Sequence, residues 1–306
     1  MRLCRFTAGA GAGLGVVEGE VVRDLTASDP ELPQDPALAL AAGIDHLHAL
    51  ARLAPEHSLG EVRLLAPARP RKFLAIGLNY AEHVGESGME APQYPVFFNK
   101  QISCVVGPHD DVHMPRVSKL LDYEGELAVV IGTRCRHVPE DRAPEVIAGY
   151  TITNDVSVRD WQLRTPTWTL GKSFDTHGPL GPWLVTADEL GDPHDLALRT
   201  FVNDELRQDS NTREMIFSCF QQVAHLSQAF TLEPGDVIAT GTPAGVGASR
   251  QPFPEGLLKV GDVVRIEIER IGQLRNSVAE EPEGYLAPDP YADAALVADR
   301  RAGGSS

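Results

Sequence analysis

Residues 121–132 read LDYEGELAVVIG, and the two halves of that stretch ask for different surroundings. LAVVI is an unbroken apolar, partly β-branched run, the pattern of a strand buried in a core. Glu124 and Glu126 stand at its mouth, two residues apart. Side chains at i and i+2 of a strand share a face, which puts the two carboxylates several ångströms apart, where they repel. One of them takes up a proton, both stay in open water, or a cation sits between them. An E-x-E taken alone is a weak motif and equally describes a solvated strand end.

A third acid changes the weighing. Asp155 closes another β-branched segment, GYTITNDVSVRD, directly after an Asn and where a loop should begin. Three carboxylates at strand ends make an all-oxygen cluster, which suits hard cations, Mg²⁺ or Mn²⁺ with Ca²⁺ also admitted, that keep positions open for water and substrate. Zinc is a poorer fit. His109 and His113 in HDDVH are flanked by Gly107, Pro108 and Pro115 and read as loop, so the helical zinc spacing is absent. His46 and His48 fall two apart in a helical segment, on different faces, and read as solvated side chains.

Three further stretches carry acid–base or binding candidates. In IGLNYAEHVGES, His83 precedes Glu86 by three residues. On one turn of helix the carboxylate can hold the imidazole and support its protonated form, as a base that activates water requires. Gly85, Gly88 and Pro92 around the pair suggest a short helix in a lid. In WTLGKSFDTHGPLGPW, Lys172 beside a carboxylate cluster would stay protonated and donate to a developing oxyanion. DVIATGTPAGVG ends a strand in a Gly/Thr/Pro loop whose amides and hydroxyls, Thr242 above all, are candidates for binding a substrate carboxylate. Each of the three also has a plain structural reading: a surface His near a Glu, a surface lysine, a turn.

Composition bounds the setting. The chain has 306 residues, 42% of them hydrophobic, enough for a sizeable core. A formal net charge of −16 argues against nucleic acid or anionic membrane as partners. No apolar run has the length of a spanning helix, and the start MRLCRFTAGAG lacks a signal-peptide core, so a cytoplasmic protein is expected. The scattered cysteines Cys4, Cys104, Cys135 and Cys219 fit reduced, buried thiols.

Along the chain, residues 1–70 read as a small N-terminal α/β domain: a β-meander, then apolar positions at helical spacing over 36–53. Its GAGAGLG lacks the βαβ context of a dinucleotide loop. Residues 71–280 switch to short β-rich runs with one clear helix near SCFQQVAHLSQAF and a hairpin turn at Asn203 and Asp204. The expected class is α+β, β-rich. Residues 281–306, rich in Pro, Ala, Asp and Gly, are expected to be a disordered tail.

Five blocks in order, IGLNYAEHVGE, DYEGELAVVIG, TNDVSVRDWQ, GKSFDTHGPLGPW and TGTPAGVG, resemble the fumarylacetoacetate hydrolase family over roughly residues 71–275. The resemblance implies a mixed β-roll, commonly homodimeric, preceded by a small N-terminal domain. It implies that Glu124, Glu126 and Asp155 bind Mg²⁺, Mn²⁺ or Ca²⁺, that His83 and Glu86 activate water, that Lys172 is the motif lysine, and that Gln162 and Thr242 contact substrate. The implied chemistry is hydrolysis of a C–C bond in a 2,4-dioxo acid, an acylpyruvate or fumarylpyruvate, that chelates the cation through its carboxylate and 2-oxo oxygen. The same site also supports decarboxylation or isomerisation of oxaloacetate-like or hydroxymuconate-like dicarboxylates, because fold and metal site do not fix the reaction.

Overall fold

The apolar run of the opening stretch is a strand, Gly125–Ile131, every residue of which is buried. Alternation sends Leu127, Val129 and Ile131 into one hydrophobic cluster and Ala128 and Val130 into another. A strand between two cores has no polar face, which is why its sequence does not alternate. Glu124 lies just before this strand rather than in it, so the expectation that both glutamates share one regular strand face is corrected to one residue at the strand's mouth and one inside it.

The computed structural model describes residues 1–9, 11–88 and 90–284. The expected tail lies outside the described residues from 285 onward. In chain order, strands β1 (Arg2–Thr7), β2 (Ala12–Glu18) and β3 (Val21–Asp24) form the meander read from the sequence. Helices α1 (Leu25–Ser28), α2 (Pro36–Ala39) and α3 (Ile44–Ala51) and strands β4 (Glu56–Ser58) and β5 (Arg63–Leu65) follow. The single helical pattern over 36–53 is thus two helices and a 3₁₀ turn, broken at Gly43, whose φ of 95° leaves the helical region. Beyond them come β6 (Phe73–Gly77), α4 (Ala81–Ser87), β7 (Val96–Lys100), β8 (Val105–Val106), β9 (Val112–Met114), β10 (Leu121–Asp122), β11 (Gly125–Ile131) and β12 (Ile147–Asn154). The chain continues with β13 (Ser157–Val158), α5 (Arg159–Gln162), β14 (Gly178–Thr186), α6 (Ala187–Leu190), β15 (Ala197–Val202), β16 (Glu205–Asn211), α7 (Cys219–Ala229), β17 (Val237–Ala239), β18 (Val263–Ile268) and β19 (Gly272–Glu280).

These strands build mixed sheets of the β-rich α+β class. The largest runs β4-β3-β2-β1-β14-β12-β11-β17-β6-β7, with β5 added on β1 and β8 on β14, and a second runs β16-β15-β18-β19-β9. Most pairs are antiparallel, whereas β6 with β17, β8 with β14 and β9 with β19 are parallel. The N-terminal meander joins the large sheet directly, because β1 pairs with β14. Asn203 and Asp204 form the β15–β16 turn with φ of 51° and 66°, the doubly left-handed geometry of a two-residue hairpin. Helix α7 begins at a capping box between Ser218 and Gln221. His113 lies in strand β9, a correction to the reading of HDDVH as loop. His46 and His48 are exposed on α3. Among the described residues no helix is long and apolar enough to cross a membrane.

His177, at the start of β14, is fully buried between the Phe174 ring and the His113 carbonyl, which accepts from its Nε2 at 2.8 Å. Burial pushes its pKa down to about 3. The unfolded chain protonates this histidine below about 6.5, the native protein only near 3, so its contribution to stability is fully present above 6.5 and declines as pH falls toward 3. Urea titrations at stepped pH are expected to show that His177→Gln removes up to about 1.4 kcal/mol per pH unit of the wild-type acid slope between pH 6 and 4. An unchanged slope refutes the assignment.

Candidate metal and catalytic site

The antiparallel pair β11–β12 places the acids. Gly125 lies opposite Asn154, so the residues just before β11 and just after β12, Glu124 and Asp155, emerge together at one end of the sheet. The Asp155 amide donates to the Glu124 carbonyl at 2.9 Å, and the Glu124 amide donates to Asn154 Oδ1 at 3.0 Å. Gly125 between the glutamates has no room for a side chain, since a Cβ would strike Thr200 Oγ1. Glu124, Glu126 and Asp155 are all buried, and their oxygens lie within 4.8 Å of one another. Oxygens bound to one hard cation at about 2.0–2.6 Å are at most about 5 Å apart, so the donor set, its spacing and its buried placement fit Mg²⁺, Mn²⁺ or Ca²⁺.

The surroundings are cationic. Lys172 Nζ donates to Glu124 Oε2 at 2.6 Å and to Asp155 Oδ2 at 2.7 Å. Lys100, buried at the end of β7, donates to Asp155 Oδ1 at 2.6 Å and to the Lys172 carbonyl. Arg159, opening α5, donates through Nε to Asp122 at 2.8 Å and through Nη1 to Glu124 at 2.7 Å and to Gln162 Oε1 at 2.9 Å. Lys100, Arg159 and Asp122 were not singled out from the sequence. Arg159 and Asp122 stood within the TNDVSVRDWQ and DYEGELAVVIG blocks, yet nothing local marked them as partners 37 residues apart. Lys100 follows the apolar VFFN of an edge strand, and only its burial, 2% exposed, marks it out.

These charges divide the two glutamates. Burial pushes Glu124 up, but Lys172, then Arg159 and His83 outweigh it and hold the carboxyl well below the usual range. Burial pushes Glu126 well up, and the negative charges of Asp155 and Glu124 add to the effect. Glu126 accepts from the Gly241 amide at 2.8 Å, which does not offset them. Lys172 thus bridges Glu124 and Asp155, while the surroundings of Glu126 favour its protonated form.

Helix α4 carries His83 and Glu86 and ends at Gly88 in the left-handed region, φ 69°. The pair is 3.6 Å apart, beyond hydrogen-bonding distance, and His83 Nδ1 is buried without a hydrogen-bond partner. Glu86 instead accepts from the Gly245 amide at 3.0 and 3.1 Å. Burial is the largest influence on His83 and lowers its pKa despite Glu124 and Glu86, with Arg159 and Lys172 acting in the same direction as burial. Glu86 still favours the protonated imidazole from 3.6 Å away, but burial outweighs it and leaves the ring's pKa below its ordinary value.

The Gly/Thr/Pro loop, residues 240–247, is tied to the acids of the cluster. Three of its amides donate to them: Gly241 to Glu126, Gly245 to Glu86 and Gly247 to Asp122 at 2.7 Å. The Thr242 hydroxyl donates to the Gly125 carbonyl at 3.0 Å and accepts from Gln208 Nε2 at 2.8 Å. The loop thus clamps the carboxylates in place with three of its amides. His83, Glu86, Glu124, Glu126, Gln162, Lys172 and Thr242 nonetheless line one cavity of about 350 Å³, while Asp155 is reached through Lys172.

The comparison of sequences agrees with this architecture. The family described as fumarylacetoacetate (FAA) hydrolase C-terminal matches residues 72–279, and that described as Rv2993c-like, N-terminal matches residues 1–67. The chain is 43% identical over 273 residues to the mitochondrial oxaloacetate tautomerase fahd2 of Xenopus laevis, covering 87% of this chain and 85% of that one. Among solved structures, maleylpyruvate hydrolase from Sphingobium sp. SYK-6 in complex with manganese(II) and pyruvate is 34% identical, with a TM-score of 0.77, over 92% of this chain and all of that one. The 5-carboxymethyl-2-hydroxymuconate delta-isomerase of Mycobacterium smegmatis is 37% identical, with a TM-score of 0.75, over the same shares.

A protonated Glu126 must lose its proton to ligate a cation. Titration calorimetry with Mn²⁺ in buffers of different ionisation enthalpy is expected to show proton release, with apparent affinity rising by up to about tenfold per pH unit while Glu126 stays protonated in the ion-free protein. In Glu126→Gln the proton release should vanish and the affinity fall. Binding by the unchanged protein without proton release refutes the picture.

Proposed function

The chain belongs to the fumarylacetoacetate hydrolase family, and from that premise we propose that it is a divalent-metal-dependent hydrolase cleaving a C–C bond in 2,4-dioxo acids of the acylpyruvate or fumarylpyruvate kind. The observation that carries the reading is His83, in one cavity with the carboxylate cluster, where burial lowers its pKa. Water attack needs a base that is unprotonated before the reaction, and burial favours that state.

A Mg²⁺ or Mn²⁺ ion held by Glu124, Glu126 and Asp155 supplies Lewis-acid polarisation of the 2-oxo acid end of the substrate. The protein's own groups do the rest. His83 takes a proton from water, whose oxygen adds to the C4 carbonyl. The C3–C4 bond then breaks with its electron pair moving to C3, which receives the proton from the imidazolium, releasing a carboxylic acid and pyruvate. Glu86, tied to Gly245, sits 3.6 Å from the ring and steadies the transient imidazolium. Lys172 spends two of its three N–H donors on Glu124 and Asp155, leaving one for the substrate oxygen where charge develops. Gln162, its carbonyl oxygen engaged by Arg159, turns its amide nitrogen into the donor toward substrate. Thr242 acts through the Gly125 carbonyl and Gln208 as a brace of the glutamate pair.

One observation favours a second reading. The unpartnered Nδ1 of His83 can pass a proton between carbon and oxygen without any water, as tautomerisation of an oxaloacetate-like acid requires, and the Xenopus relative is named for that reaction. The proposal extends to a cytoplasmic homodimer. Exposed Phe97 in edge strand β7, with Tyr94 and Ile102 on either side of the strand, supports the second copy, and no charge pattern suggests nucleic acid.

With Mn²⁺ present, the protein is expected to release pyruvate from acylpyruvates, and His83→Ala to lower kcat by roughly 10²–10⁴-fold. The acid limb of the wild-type kcat/KM profile should fall below 6.5, because the base fails only as pH drops through its lowered pKa. Rapid keto–enol exchange of oxaloacetate with no pyruvate release from any acylpyruvate selects the second reading instead.

A further inference from the structure

The hydrolase reading leaves open what lies beyond the attacked carbonyl. Resting on that reading, we propose that the distal group of the substrate is an uncharged apolar acyl chain and that this chain selects against a second carboxylate. The cavity that holds His83 and Lys172 is walled by Ile76, Leu78, Phe98, Leu163, Trp168 and Val246. The Trp168 indole is set deliberately: it covers Gly77, where a Cβ would come within 2.5 Å of the ring, and meets Phe98 edge-on at 5.6 Å. Trp168 holds a φ of 59°, a conformation that a bulky residue keeps only when the packing around it compensates. Gly77 and the left-handed turn together place an aromatic plate on the cavity wall.

The charges of the same cavity argue in the same direction. Among the described residues lining it, the cations are Arg159 and Lys172, and each is bonded to two of the protein's own carboxylates. Arg164 nearby is stacked on Trp161 at 3.9 Å and stands 3.7 Å from Asp160, and it does not line the cavity. Apart from the uncharged Gln162, Thr242 and Ser249, a distal carboxylate would meet Glu86 and an apolar wall, and burying it without a cationic partner is costly. An alkyl group would bury its surface against Trp168, Phe98 and Leu163.

The test uses the full chain loaded with Mn²⁺ and two measurements. Binding of unbranched 2-oxo acids from 2-oxobutanoate to 2-oxohexanoate, and of 2-oxoglutarate, is followed by tryptophan fluorescence. Turnover is followed with acylpyruvates of two to six acyl carbons and with fumarylpyruvate. Affinity is expected to rise about fourfold per methylene, with 2-oxoglutarate at least tenfold weaker than 2-oxohexanoate. Trp168→Ala should flatten the ladder. Leu163→Arg, at a position 72% exposed where the fold tolerates a charge, should narrow or reverse the discrimination against 2-oxoglutarate. A binding ladder without cleavage of any acylpyruvate leaves this inference standing and removes the hydrolase reading. Cleavage that favours fumarylpyruvate, with no chain-length dependence in either measurement, overturns the inference and leaves the hydrolase reading intact.

Discussion

The structure is organised around a charge balance that it must keep away from water. Four acids, Asp122, Glu124, Glu126 and Asp155, and three bases, Lys100, Arg159 and Lys172, are packed into one cluster, all of them buried except Arg159, whose side chain is 12% exposed. Formally the acids exceed the bases by one, and the excess falls on Glu126, whose pKa burial and the neighbouring acids push up. A buried charge is tolerable only when paired and hydrogen-bonded, and removing one member of a buried pair typically costs about 3–5 kcal/mol. The members come from β7, β10, β11, α5, the end of β12 and the turn before β14. The sheet order that brings β10 beside β13 and β11 beside β12 is therefore also what makes the cluster electrically acceptable.

The Gly-rich loop after β17 follows from the same constraint. Carboxylates that cannot be solvated need donors, and backbone amides provide them without adding charge. To aim successive amides at Glu126, Glu86 and Asp122, the loop passes through φ of 103° at Gly241 and 98° at Gly245. A side chain at Gly241 would also come within 2.6 Å of Asn79 Cβ, and one at Gly245 would strike the Arg207 carbonyl. These two glycines are fixed by close approach as well as by conformation. The loop connects the carboxylate cluster to helix α4, because Glu86 and Glu126 hang from amides four residues apart.

How much of this was readable without coordinates depended on the range over which each interaction acts. Local signals were legible: the doubly buried strand from LAVVI, the Asn203–Asp204 turn, the capped helix at 219–229, and the E-x-E with its later Asp. The broken helix over 36–53 was not, because Gly43 interrupts a periodicity that stays apolar on both sides of it. Lys100 was invisible because its meaning is its contact with Asp155, 55 positions away, and with the Lys172 carbonyl, 72 away. The second tie of Glu86 was hidden for a related reason. An i,i+3 spacing identifies His83 as its neighbour, 3.6 Å away, but nothing local shows the Gly245 amide, 159 residues further on, that donates to the same carboxylate.

The division of labour within the site bears on how one scaffold accommodates several reactions. The acids and their cations are bonded to one another and to the sheets, so a change there disturbs folding along with the cluster. His83 has fewer ties: α4 is seven residues long, its ring makes no hydrogen bond through Nδ1, and the connection from its helix to the carboxylate cluster runs through Glu86. The apolar wall is looser still, with Leu163 largely in solvent and Trp168 held mainly by Gly77 and Phe98. Variation in helix α4 and in the wall can thus alter the upper part of the cavity while the charge balance beneath stays fixed. Relatives named for hydrolysis, isomerisation and tautomerisation are what such a layered site would produce.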